Sequence, residues 1–194
     1  LPSSTQAWIA GGAIRDLILG RQPRDWDFVV TASGLAVARA VADRMGGAYY
    51  PLDHERHTGR AIVTDPASGL RVILDFASLR AGSIIEDLQA RDFTINAMAM
   101  SLRGDLIDPV GGAMDARLCQ LRMVTPGCFS ADPVRLIRAV RLSAQFGMFI
   151  TDETRSRIVA EAPAIATTSA ERVRAELVAL LALTRASEGL RLLV

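Results

Sequence analysis

The chain of 194 residues is half hydrophobic and sets 22 basic side chains, all arginine, against 21 acids, for a formal net charge of +1. That apolar content is enough to bury a sizeable core, and the near-neutral balance excludes nucleic-acid binding by bulk charge, so any such surface must be a local patch. No apolar run approaches the ~18 residues of a membrane span and no leader pattern opens the chain, which predicts a cytoplasmic protein with no membrane partner.

In chain order, Ala7-Trp8-Ile9-Ala10 reads as a short strand and Ala13 to Leu19 as a helix. Gly11 and Gly12 lie between them, where a bare backbone can closely approach an anionic ligand, and Arg15 projects from the first turn of the helix. A tight turn is the plainer reading of a glycine pair. Trp26 to Val30 reads as a strand, and alternation puts Asp25 and Asp27 on one face and Trp26 on the other. Two hard oxygen ligands on one face suit Mg²⁺, although an Asp-x-Asp is also a common solvated strand end. A dinucleotide-binding reading fails, because the G-x-G-x-x-G spacing is missing and the acids come too early for ribose. A phosphate-cradling turn beside two carboxylates is equipment for metal-assisted phosphoryl transfer.

Leu35 to Arg44 has helical spacing, and Ala48 to Leu52, Arg60 to Thr64 and Leu70 to Phe76 read as strands. The turn Asp65-Pro66-Ala67-Ser68-Gly69 makes the last two a hairpin. Leu70, Val72, Leu74 and Phe76 share one face, and Asp75 lies on the other with Arg71 and Ile73. By chemistry alone Asp75 is a solvated residue or the third member of a carboxylate triad. Cys119 and Cys128 lack C-x-x-C spacing, and His54 and His57 are isolated, so no zinc site is expected.

Downstream runs Glu86-Asp87-Leu88-Gln89-Ala90-Arg91-Asp92-Phe93-Thr94-Ile95-Asn96-Ala97-Met98-Ala99. Then come Asp108-Pro109-Val110-Gly111-Gly112-Ala113-Met114-Asp115, Asp132-Pro133-Val134-Arg135-Leu136-Ile137-Arg138-Ala139-Val140-Arg141 and Ser169-Ala170-Glu171-Arg172-Val173-Arg174-Ala175-Glu176-Leu177. With the glycine and Asp-x-Asp stretch, these resemble the ordered motifs of class II tRNA nucleotidyltransferases and bacterial poly(A) polymerases, a branch of the polymerase-β-like superfamily. The resemblance implies an α/β head, a mixed sheet with flanking helices, over residues 1–128. An all-α neck follows over 129–194, and the family's tRNA-gripping body and tail are missing. The apolar Glu188 to Val194, with no stop signal, reads as the end of a fragment.

In the neck, helices are expected at about Asp132 to Gln145, Asp152 to Glu161 and Ser169 to Leu183, with Asp132 and Ser169 as N-caps and Gly147 as a stop. Arg135, Arg138 and Arg141 drift by only about 60° per step and so line one helix face. In isolation that is a solvated face; the resemblance makes all three nucleotide-facing.

The resemblance also implies residue roles. Asp25 and Asp27 hold two Mg²⁺ ions, with Asp75 ligating one of them or helping to deprotonate the primer hydroxyl. Gly11, Gly12 and Arg15 hold the triphosphate, and Arg91, Asp92 and Asn96 read the ribose and phosphates. Asp132 and Arg135 match the Watson–Crick edge of cytosine or adenine, supported by Arg138 and Arg141. Ala131 and Ala90 replace a glutamate and an arginine common in the family. Only Ala81 to Glu86 separates Arg80 from Asp87, where many CCA-adding members carry a longer loop. The expected activity is template-independent addition of CCA, or of CC or A alone, to a tRNA 3′ end from CTP and ATP. The alternatives are a poly(A) polymerase, an inert RNA- or nucleotide-binding module, and a transferase acting on small molecules. Oligomeric state leaves no signal in the sequence.

Overall fold

The computed structural model describes residues 5–23 and 25–192. It divides into two compact units, Leu1–Gln89 with Asn96–Pro109, and Ala90–Ile95 with Val110–Val194. Among the described residues no helix is long and apolar enough to cross a membrane.

The first unit runs β1 (Ala7–Ala10), α1 (Gly12–Ile18), β2 (Asp25–Val30), α2 (Gly34–Met45), β3 (Ala48–Asp53), β4 (Thr58–Thr64), β5 (Arg71–Ser78), α3 (Ile84–Gln89), β6 (Ala99–Ser101) and β7 (Leu106–Ile107). Its strands form one sheet in the order β3-β4-β5-β2-β1-β6-β7. β2 and β5 pair in parallel, whereas every other neighbouring pair is antiparallel. This is the mixed sheet with flanking helices expected from the sequence. A parallel pair needs a crossover connection, and α2 followed by β3 and β4 supplies it.

Side-chain alternation gives the sheet two chemically different faces. Val37, Ala38 and Ala42 of α2 pack on Val30, Ala61, Val63 and Phe76, with Phe28, Val72 and Leu74 beside them. Val29, one step out of phase with Phe28 and Val30, packs instead with Ala10, Ala99 and the α3 residues Ile84 and Leu88. Asp25 and Asp27 are in phase with Val29 and so lie on the face away from α2.

Gly34 lets α2 start hard against the sheet, because a Cβ there would stand 2.4 Å from the carbonyl oxygens of His57 and of Phe76. Backbone cannot yield as a flexible side chain would. Gly34→Ala is therefore expected to cost at least about 2 kcal/mol of stability, measured by chemical denaturation. An unchanged midpoint would contradict this packing.

The second unit runs α4 (Gly112–Arg117), β8 (Gln120–Leu121), α5 (Cys128–Ala131), α6 (Arg135–Phe146), β9 (Phe149–Ile150), α7 (Asp152–Glu161), α8 (Ala170–Leu181) and α9 (Ala186–Arg191). β8 and β9 form a small parallel pair. Val140, Ala144 and Leu180, with Leu183 beside them, make the contact of α6 with α8. The segment 90–95 joins this unit through a bridge of Phe93 to Met123 and a hydrogen bond from the Thr94 N–H to the Arg122 carbonyl (2.9 Å). The apolar end of the chain begins as α9, and its last two residues lie outside the described ones.

The helix expected from Asp132 to Gln145 is α6, which begins three residues later at Arg135, with α5 ending at Ala131 just before the expected start. Asp132 is extended (φ −157°, ψ 97°), as the residue before a proline prefers. Asp132 is therefore not the N-cap of α6: that position is Val134, which has no side-chain cap. Ser169 does stand at the N-cap of α8, yet its hydroxyl makes no capping bond. α6 stops at Gly147, as expected.

Candidate active site

The strand registers of the first unit converge on one carboxylate. Asp75 of β5 stands opposite Asp27 of β2 and, on its other side, opposite Arg60 of β4. Three acids, Asp25, Asp27 and Asp75, thus share the face away from α2. Asp25 and Asp27 are exposed at the start of their strand. Asp75 is engaged, for Arg60 donates from Nε to Oδ1 and from Nη2 to Oδ2, both at 2.7 Å. This pairing raises the Arg60 pKa above its ordinary value: the bond to Asp75 is the chief cause, burial opposes it, and the charges of Asp25 and Asp27 add to it.

Hard oxygen donors at an exposed strand start are the right chemistry for a divalent cation such as Mg²⁺. Among the described residues, however, no three acid, histidine or cysteine side chains come close enough together to hold a metal ion. The sequence placed Asp75 on the correct face but missed Arg60. The signal was available, since stepping back from the hairpin turn sets Arg60 opposite Asp75.

The glycine turn has the form its sequence suggests. Gly11 adopts φ 73°, ψ −132°, a conformation that side-chain-bearing residues rarely reach, and precedes α1. Its N–H donates to the Met98 carbonyl at 2.9 Å. Arg15 is buried, and its guanidinium donates to Asp16 Oδ1 from Nε (3.0 Å) and Nη2 (2.8 Å) and to Asn96 Oδ1 from Nη1 (2.7 Å). It passes so close to the turn that a Cβ on Gly12 would lie 3.2 Å from Nη2. Gly11, Gly12, Arg15 and Asn96 are thus brought together within the first unit.

The second unit collects the other candidates around two acids. Asp92 is buried; its Oδ1 accepts the Phe93 N–H at 2.7 Å and its Oδ2 accepts from Arg138 Nη1 at 3.3 Å. Arg138 also donates from Nε to Glu176 Oε1 (2.8 Å), and Arg141 from Nε to Glu176 Oε2 (2.6 Å). Burial opposes the charge on Arg138, but Glu176 and then Asp92 outweigh it and raise the pKa. Arg91 is half-buried at the head of this segment. Glu176, which anchors both arginines, was not a sequence candidate. A lone acid three residues after Val173 and four before Leu180, on the apolar stripe of α8, was the clue.

The remaining pair has unmet hydrogen-bonding capacity. Asp132 Oδ2 accepts from Arg172 Nη2 at 2.7 Å, and Arg135 Nη1 donates to the Cys128 carbonyl at 3.2 Å. Asp132 Oδ1 and Arg135 Nε are buried with no hydrogen-bond partner; among the described residues only Thr168 Oγ1 shares that condition. Burial alone would push the Asp132 pKa up, but the bond and charge of Arg172, with the charge of Arg135, bring it below its ordinary value. Asp132 therefore stays an acceptor at neutral pH. Cys128, buried, has its thiol pushed up to about 11 chiefly by desolvation, and it donates to the Asp92 carbonyl at 3.2 Å.

Residues 7–122 match the family profile of the poly A polymerase head domain, and 147–194 match that of a probable RNA and SrmB-binding site of polymerase A. A CC-adding tRNA nucleotidyltransferase of Geobacter sulfurreducens is 43% identical over 181 residues, covering 93% of this chain and 41% of the relative. A CC-adding tRNA nucleotidyltransferase of Synechocystis is 40% identical over 188 residues, covering 95% and 44%. The chain thus spans under half the length of these curated relatives. A solved tRNA nucleotidyltransferase complexed with a primer tRNA and an incoming ATP analog superposes with a TM-score of 0.84 at 32% identity, covering 97% of this chain and 56% of that one. The ordered motifs, the mixed sheet and these matches together mean that the chain belongs to the poly(A) polymerase head-domain family, that of the tRNA nucleotidyltransferases.

Proposed function

We propose that the enzyme carrying this chain adds cytidine to the 3′ end of tRNA from CTP, in the cytoplasm and without a nucleic-acid template. The observation that carries this reading is the pair of orphaned buried atoms, Asp132 Oδ1 and Arg135 Nε. A fixed acceptor and a fixed donor complement the amino group and ring nitrogen on the Watson–Crick edge of cytosine, and of adenine after a shift. Leaving such atoms buried and unmatched costs about 1–3 kcal/mol each, which a correct base would relieve.

Asp25 and Asp27 are the proposed ligands of Mg²⁺, with Asp75 as the third acid. When bound, two such ions would neutralise charge on the attacking and leaving oxygens of the transferring phosphoryl group. Gly11, Gly12 and Arg15 would receive the triphosphate, and Asn96, fixed against Arg15, would hold that guanidinium in place. Arg91 and Asp92 would read the ribose, while Arg138 and Arg141, anchored on Glu176, would support the base-reading helix α6.

Cytidine rather than terminal adenosine is favoured by the short connection from β5 to α3. It comprises only Leu79 to Ser83 and is tied down by the bond from the Gly82 N–H to Glu86 Oε2 at 2.9 Å. The two curated relatives that add CC are in keeping with it.

Arg135→Ala should lower discrimination for CTP over the other nucleotides by about 1–3 kcal/mol in kcat/KM, because the base edge loses its donor while the triphosphate contacts stay. Single-nucleotide incorporation by the enzyme carrying this chain, compared across the four NTPs, measures it. An unchanged preference would place base selection elsewhere.

A further inference from the structure

We infer that Arg60 is a built-in counter-cation of the carboxylate face, which pairs with Asp75 and competes for it with a divalent cation. This rests on the proposed metal role of Asp25, Asp27 and Asp75. Both oxygens of Asp75 accept from the Arg60 fork at 2.7 Å, so a cation ligated there would share the carboxylate with a guanidinium and be repelled by it. The same guanidinium feels the charges of Asp25 and Asp27. Its positive charge thus offsets repulsion among three acids on one sheet face.

The arrangement is suited to exchange. Arg60 keeps a third of its side-chain surface exposed, whereas Asp75 keeps 16%. The guanidinium can therefore swing outward on a flexible stem, while the backbone of Asp75 is fixed between β2 and β4 by the ladder. A cation entering at Asp25 and Asp27 would draw the Asp75 side chain toward it from the neighbouring strand position, and the displaced Arg60 would serve as a donor for a phosphate oxygen. Arg60 is on this account a positioning residue: it sets how tightly the metal is held and keeps Asp75 aimed along the ladder.

Mn²⁺ binding to the chain, read by the paramagnetic signal of the free ion with no nucleotide present, tests this independently of turnover. Arg60→Gln removes the opposing charge and should tighten Mn²⁺ binding by about ten-fold, the order expected from one unit charge near a half-exposed site. Arg60→Lys retains the charge but loses the fork, and should fall between Arg60→Gln and the parent. In thermal denaturation without metal Arg60→Gln should melt lower than the parent, and saturating Mn²⁺ should close most of that gap. Equal or weaker Mn²⁺ affinity in Arg60→Gln, with Arg60→Lys also unchanged, would overturn the counter-cation role while leaving the metal site intact. If the parent binds no Mn²⁺, or if Asp27→Ala binds it as well as the parent does, the metal assignment itself falls and this inference with it.

Discussion

Asp25→Ala or Asp27→Ala is expected to reduce nucleotide addition by about a thousand-fold or more, while the folding midpoint stays close to that of the parent. Both parts follow from position. The two acids are exposed at the start of β2, on the sheet face that α2 does not cover, so neither packs in the core. Removing either would take one hard oxygen ligand from ions that neutralise charge at the reacting phosphoryl group, an effect of several kcal/mol on the barrier. Primer-extension rates and a denaturation curve for each variant measure the two parts. A variant that keeps near-parental turnover would remove the metal role from that residue. A variant that loses activity together with its fold would show that the acids serve the sheet.

The second large effect falls in the second unit. Glu176→Ala is expected to destabilise the second unit by about 3 kcal/mol. A single buried carboxylate accepts from both Arg138 and Arg141, and its loss would leave two arginines partly buried without their anchor. The figure lies at the low end for a broken buried ion pair because Arg138 keeps 33% of its side chain exposed. Glu176→Gln retains the shape and one acceptor oxygen and should lie between the parent and Glu176→Ala. Denaturation midpoints give the stability. CTP selectivity should fall in parallel, because α6 carries Arg135 and its anchor to α8 is gone. A midpoint within experimental error of the parent would show that the arginines find water or Asp92 at no cost.

The first unit was largely legible in the sequence for a local reason. Period-two alternation in Trp26 to Val30 and Leu70 to Phe76, with a five-residue turn rich in Pro, Ser and Gly, fixes strand identity, hairpin and face. Asp75 therefore fell on the correct face before any register was known. Its engagement by Arg60 depends on a cross-strand pairing, and pairings are non-local. In the second unit, helical spacing located α6, α7 and α8, but the proline after Asp132 outweighed its capping tendency and moved the start of α6 to Arg135.

The three arginines of α6 share a face by angle, but their partners diverge. Arg135 turns back to the Cys128 carbonyl, whereas Arg138 and Arg141 reach across to Glu176. Periodicity gives the face of a helix and not the side chains it meets there. Arg172 illustrates the same limit. It stands in a motif quoted from the sequence, yet its role, holding Asp132 Oδ2 so that Oδ1 remains without a partner, depends on a bond between residues forty positions apart.

On the proposed reading, Asp132 and Arg135 stand in for a template and select cytosine. The most direct measurement supplies the enzyme carrying this chain with tRNAs ending just before the first C, after CC and after CCA, each with a single NTP and Mg²⁺. CTP alone is expected to extend the first substrate by two nucleotides and stop, UTP and GTP to be rejected, and Asp132→Asn with Arg135→Ala to abolish this preference. Homopolymer growth from ATP on all three substrates, or equal use of the four nucleotides by the parent, would contradict it.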